Sequence, residues 1–231
     1  LEFRRVLFRS LATPVYNISA TVLIKDDKKG GGASMSSELE KMGLDGFVSS
    51  SNNVDNEIEV LKSKSLAREV VNNLGLFVTY KDEDEFPNRE LYRTSPVVVS
   101  LTPQEAEKLS APMEVEMTLF PNGGMDVLIT VKDKEYRKQF DKLPAVFPTD
   151  EGTVAFFESK DTLAVNQAKE ESKERHIKAF INRPMSVAKG YIQSLSIAPT
   201  SKTTSVAVLS LKNSNTRRGR DFINKLRSEE R

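Results

Sequence analysis

The clearest regularity in the chain is a run of alternating apolar and polar positions, in which Met113, Val115, Met117 and Leu119 are separated by Glu114, Glu116 and Thr118. Beyond PNGG the alternation resumes at Val127, Ile129 and Val131. A period of two marks a half-buried strand, and a Gly-containing turn between two such runs predicts a β-hairpin. Val15–Ile24, rich in β-branched residues with no Gly or Pro after Pro14, predicts another strand, as do Leu76–Tyr80 and Pro96–Leu101. Two more are expected in Tyr136–Phe157, around the proline-bounded LPAVFPTDEGT. Ile177–Ile181, Leu195–Ala198 and Ser205–Leu211 complete the set, the last two flanking the polar turn PTSKTT.

Helical periodicity is strongest after Asn53. Asp55 or Asn56 reads as an N-cap, with Glu57 and Glu59 in the first turn, where acidic charge suits the backbone dipole. Leu66, Val70 and Leu74 form a stripe with Ala67 and Val71 beside it, and Gly75 supplies the stop. Ile58 and Leu61 form an earlier stripe slightly out of phase, which a kink or second cap near Ser63 or Ser65 reconciles. Ser49–Asn53 reads as a flexible approach to this helix. Thr102, Pro103 and Glu105 predict a short capped helix with proline at its first position. Pro184 opens a helix with Val187, Tyr191 and Leu195 on one face and Ala188 and Ile192 beside it, and Asn215 caps a last one packing through Phe222, Ile223 and Leu226. Ser37 and Glu40 have capping-box spacing. The charged stretch Glu158–Arg175 has no continuous stripe and reads as an exposed connection. The expected class is α+β, a mixed or antiparallel sheet packed by helices, with an inserted β-hairpin region at about 111–158. One domain over 11–226 fits the length as well as two small domains do.

At 231 residues, 38% apolar and 29% charged, the chain supports a sizeable core and is too apolar for general disorder. It has no cysteine, which removes a disulfide scaffold, a thiol nucleophile and a cysteine-bound zinc. The first ten residues, LEFRRVLFRS, contribute +2 to a net charge of +1, leaving about −1 elsewhere. Such a balance excludes a broad nucleic-acid footprint, which needs a concentrated cationic face. LEFRRVLFRS is too short and too charged for a secretory signal and reads as a non-native tail, with a basic juxtamembrane segment as the alternative; RSEER at 227–231 invites the non-native reading too. No apolar run reaches the roughly 18 residues that a bilayer span needs.

Candidate chemistry is sparse. His176, the single histidine, has no nucleophile elbow near it and reads as a solvated residue at a strand edge. Asp82, Glu83, Asp84 and Glu85 form an acidic run, and Asp150 and Glu151 an acidic pair. Glycosidases hold two carboxylates in different environments across a cleft, so adjacent acids in polar loops read as solvated. The acidic run also lacks the spacing of an EF-hand calcium loop. Gly30–Ser34, GGGAS, lacks the lysine and hydroxyl of a phosphate loop. Arg217, Arg218 and Arg220 form the densest basic cluster, which reads as an ordinary solvated helix face or as a helix start where an external anion or acidic partner would be stabilised. No catalytic group, cofactor site or metal site is expected.

Three blocks carry a family resemblance: TPVYNISATVLIK (Thr13–Lys25), NVDNEIEVLKSKSLAREVVNNLGL (Asn53–Leu76) and VAKGYIQSLSIAPTSKTTSVAVLSLKNSNTRRGRDFINKL (Val187–Leu226). In this order they resemble the Wzz-type chain-length determinant domain of polysaccharide co-polymerases, as found in the capsule-exporting tyrosine kinases of Bacteroides-like bacteria. The most family-specific string is DNEIEVLKSKSL, so Asp55, Asn56, Glu57, Leu61, Ser63 and Leu66, with Gly75, are its structural motif residues. The resemblance implies a non-catalytic domain on the periplasmic face of the inner membrane, with membrane helices before Leu11 and after Leu226 and a tyrosine kinase domain in some parents. It implies a homo-oligomeric ring, a polysaccharide polymerase, an outer-membrane export channel and a lipid-linked glycan as partners, and a subunit or anionic-glycan contact at Arg217, Arg218 and Arg220. The rival readings are a secreted carbohydrate-processing enzyme using Asp150 and Glu151, and a glycan-binding surface module, to which the sparse aromatics give little support.

Overall fold

A computed structural model of the chain describes residues 14–24, 51–84, 90–160, 173–201 and 206–229. The fold is α+β: among the described residues, eleven strands form antiparallel sheets and five helices accompany them. In chain order these are β1 (Tyr16–Leu23), α1 (Ser51–Leu61), α2 (Lys64–Leu74), β2 (Val78–Asp82), β3 (Val97–Ser100), α3 (Pro103–Lys108), β4 (Met113–Leu119) and β5 (Met125–Val131). There follow β6 (Lys134–Phe140), β7 (Ala145–Thr149), β8 (Gly152–Glu158), β9 (Arg175–Ile181), α4 (Pro184–Ser194), β10 (Leu195–Pro199), β11 (Val206–Asn213) and α5 (Thr216–Glu229). The chain forms two compact units: a terminal unit of Val15–Val70 with Lys189–Arg231, and a central unit whose body is Val71–Ala188. The chain passes between them inside α2 and inside α4. GGGAS and the Ser37–Glu40 box lie outside the described residues, as do LEFRRVLFRS and most of the 158–175 connection.

The terminal unit is built on a three-stranded sheet in the order β1-β11-β10. β1 pairs with β11 along its whole length, from Tyr16 opposite Asn213 to Leu23 opposite Val206. The alternation of β11 turns Ala207, Leu209 and Leu211 inward, and α5 packs on β1 and β11 while burying Phe222, Ile223 and Leu226. α1 packs against β10.

The structure corrects the start of α1. The helix already runs at Ser51, so Ser51–Asn53 are its first residues and not a flexible approach. Asp55 and Asn56 lie inside it and do not cap it, and Glu57 and Glu59 fall beyond the first turn. The early start gains a core residue: Val54 joins Ile58 and Leu61 at i, i+4 and i+7, and all three are buried. The second cap is real. The Ser63 hydroxyl accepts the Leu66 N–H at 3.2 Å, restarting the chain as α2 in a new phase that buries Ala67, Val70 and Val71. Leu66 and Leu74 are only half-buried. Gly75, at φ +63°, ends α2: its N–H reaches Asn72 O (3.2 Å) and the Leu76 N–H reaches Val71 O (2.9 Å), the two bonds of a Schellman motif. Leu76 is thus spent on the helix end, and β2 begins at Val78, two residues later than expected.

The central unit holds a five-stranded sheet, β2-β9-β4-β5-β6, and a three-stranded sheet, β3-β8-β7. The alternation of the hairpin is realised as read: Met113, Val115 and Met117 are buried opposite Val131, Ile129 and Val127, with Ile177, Ala179 and Ile181 on the next strand. Its turn closes with the Phe120 N–H on Gly124 O (2.9 Å), and Gly123 takes φ +87°. Thr102 and Glu105 cap α3 reciprocally. Between 134 and 158 there are three strands where two were expected, because the proline-bounded stretch itself forms β7. Pro148 is tolerated there because β7 is an edge strand, where an absent N–H breaks no ladder bond. The Tyr80 hydroxyl, from β2, accepts the Val99 N–H (2.9 Å) and lies 3.3 Å from Val99 O, occupying the backbone groups of edge strand β3.

Candidate functional site

The basic cluster stands at the start of α5, where the Asn215 side chain accepts the Arg218 N–H (3.0 Å) as the cap and Asn213 in turn accepts the Asn215 N–H (2.8 Å). The cluster does not act as one patch. Arg217 and Arg220 are exposed, but Arg218 points inward: it is 7% exposed, and its Nε donates to the Tyr191 hydroxyl at 2.9 Å. Tyr191 stacks on Phe222 with ring centroids 4.1 Å apart. Arg218 shares the helix face of Phe222 and Leu226, so its role is to join α4 to α5, and of the cluster Arg217 and Arg220 stay exposed. Gly219 permits this packing, since a methyl group in its place would collide with Ile18 Cδ1 and press on Asn213 Cβ. Of the motif residues, Leu61 is core, Ser63 is a cap and Gly75 a stop, while Asp55 and Asn56 lie on an exposed helix face.

In the central unit, Asp82, Glu83 and Asp84 of the acidic run pair with the segment from Arg175 to Lys178, while Glu85 lies outside the described residues. Arg175 Nη2 donates to Asp82 at 2.8 Å, with the two side chains 13% and 3% exposed. The His176 N–H donates to Asp84 (2.7 Å), and its ring Nδ1 lies 2.9 Å from the same carboxylate. Burial alone would raise the Asp84 pKa, but the His176 hydrogen bonds and the neighbouring cationic charge outweigh it and hold the carboxyl below its ordinary range. His176 is exposed, in keeping with a solvated residue, but it is paired with Asp84 and stands on an interior strand of the sheet. Lys178 stands among Glu114 (2.5 Å), Glu116 (2.7 Å) and Glu83 (3.4 Å). Its partial burial would lower its pKa, yet the two nearer carboxylates raise it above the ordinary lysine range. Sequence reading missed this network, although its signal was present: Lys-Asp-Glu-Asp and Arg-His-Ile-Lys are complementary in charge.

Asp150 and Glu151 sit at the β7–β8 turn with separate partners. Asp150 takes Lys134 Nζ and the Tyr136 hydroxyl, both at 3.1 Å, and these contacts lower its pKa. Glu151 accepts from the Ser110 N–H and hydroxyl. Neither arrangement holds two carboxylates across a shared cleft. A cavity of about 280 Å³ lies beside the β4–β5 turn, lined by Val97, Phe120, Met125 and Leu143 with Lys142 and Glu158 as its charged members. Among the described residues, no group of three or more histidines or acids is placed to hold a metal ion.

No protein-family model matches the chain, and a search of curated proteins likewise finds no match.

Proposed function

We propose that this chain is the extracytoplasmic domain of a membrane-anchored polysaccharide co-polymerase, a non-catalytic part that sets polymer length by assembling with copies of itself at the periplasmic face of the inner membrane. The observation that carries the proposal is the pairing of β1 with β11. It joins the first and last of the blocks resembling the Wzz-type domain in one sheet, with most of the middle block in the same terminal unit. The partners of such a domain are a polysaccharide polymerase, an export channel and a lipid-linked glycan, and its parent carries a tyrosine kinase domain in some cases. No helix among the described residues is long and apolar enough to cross a membrane, so anchoring falls to other parts of the parent.

The test replaces 14–229 in the anchored parent with an unrelated folded domain and measures the length distribution of extracted polymer by gel filtration. A shifted modal length is expected. An unchanged distribution, with the parent still in the membrane, refutes the proposal. The carbohydrate-processing alternative requires Asp150→Asn with Glu151→Gln to abolish glycan cleavage, whereas the present reading expects polymer length to be unaltered by that pair.

A further inference from the structure

Two helices of the terminal unit carry opposite and nearly balanced charge. α1 has three acidic residues and no basic one, a net of −3; α5 has five basic and two acidic residues, a net of +3. Their outward positions continue the pattern. Asp55 and Glu59, one turn apart, are exposed on α1; Arg217 and Arg220 lie together on the exposed side of α5 at i and i+3. None of these four side chains forms an ion pair with another described residue. The two helices are also carried by different parts of the sheet, α1 by edge strand β10 and α5 by β11 and the opposite edge strand β1. Exposed apolar side chains accompany both: Val60 on α1 is 49% exposed, and Val15, Tyr16 and Leu23 at β1 are 66%, 47% and 63% exposed.

We infer that the occupant of each helix surface is the opposite helix of a second copy of this chain, Arg217 and Arg220 of one subunit lying against Asp55 and Glu59 of the next. The inference rests on the assembly reading above and supplies its contact. A head-to-tail pairing leaves one acidic and one basic helix unused in each bound pair, so addition continues until the rotation between subunits closes a ring. Charge complementarity of this kind fixes partner and register, while the apolar side chains at its margins supply desolvated area.

Charge reversal tests it. Sedimentation of the full chain at low ionic strength, over a wide concentration range, compares the wild type with Arg217→Glu/Arg220→Glu, with Asp55→Lys/Glu59→Lys, and with all four changes together. All four positions are exposed, and circular dichroism verifies that each variant is folded. Each double variant is expected to self-associate roughly tenfold or more weakly, by loss of attraction and gain of repulsion at two pairs. The fourfold variant, with the charges exchanged, is expected to recover wild-type association. Self-association indifferent to the reversals, or not recovered by the exchange, overturns this contact and leaves the assembly reading standing. A wild-type chain that stays monomeric at every concentration, and when tethered to lipid vesicles, overturns both.

Discussion

Removing one oxygen atom, by Tyr80→Phe, tests the way the two sheets of the central unit are joined. The Tyr80 hydroxyl accepts the Val99 N–H at 2.9 Å and stands 3.3 Å from Val99 O, and Val99 is 3% exposed. Phenylalanine fits the same space but leaves a buried N–H and a buried C=O without that partner. One such orphaned group costs ~1–3 kcal/mol, so a loss of ~2 kcal/mol is expected. The burial of the same hydroxyl predicts an alkaline signature. Burial raises the Tyr80 pKa from 10.0 to about 12, the hydrogen bond from the Val99 backbone offsetting only part of the rise. The folded state therefore keeps its proton where the unfolded chain releases it: the stabilisation is fully present below pH 10 and is lost as pH rises towards about 12. At ~1.4 kcal/mol for each pH unit of that gap, the loss approaches ~2–3 kcal/mol. Urea unfolding of both proteins at neutral and alkaline pH measures the two effects, and hydrogen exchange reports on the Val99 amide itself. If Tyr80→Phe changes stability by less than ~0.5 kcal/mol, within the range of an unremarkable surface substitution, and Val99 exchange is unaltered, the hydroxyl is not the joint described here.

Two further expectations concern the terminal unit. Ser63→Ala removes a true cap and is expected to lower stability by ~1 kcal/mol, whereas Asp55→Ala, inside α1 and exposed, stays within ~0.5 kcal/mol; denaturant titration of both variants decides which residue caps a helix. Gly219→Ala places a methyl group against Ile18 and Asn213 and is expected to cost ~1–3 kcal/mol, read as a lowered urea midpoint, with Gly190→Ala, whose added methyl group meets no other atom within 4 Å, as the permissive control.

Much of this fold is legible where local chemistry and tertiary demand coincide. The β4–β5 alternation, the caps at Ser63, Thr102 and Asn215 and the stop at Gly75 each follow from a few neighbouring residues, and each is found in the structure. The misreadings arise where tertiary context changes what a local pattern means, or where one local signal is weighed above another. KDED looks solvated until β9, more than 90 residues later, supplies Arg175, His176 and Lys178. LPAVFP looks like a loop until its place at a sheet edge makes the proline harmless. Arg218 looks like part of a surface cluster, although its four-residue spacing to Phe222 and Leu226 already put it on the buried face; charge was weighed above periodicity there.

The union of β1 with β11 also has a temporal side. Tyr16 and its mate Asn213 are 197 positions apart, so a ribosome working at ~5–20 residues per second makes the earlier strand roughly 10–40 s before its mate exists. YNISATVL contains no charge and no proline to discourage unwanted strand pairing during that interval. Nascent chains arrested before Val206 are therefore expected to be the aggregating species in a stalled-translation series.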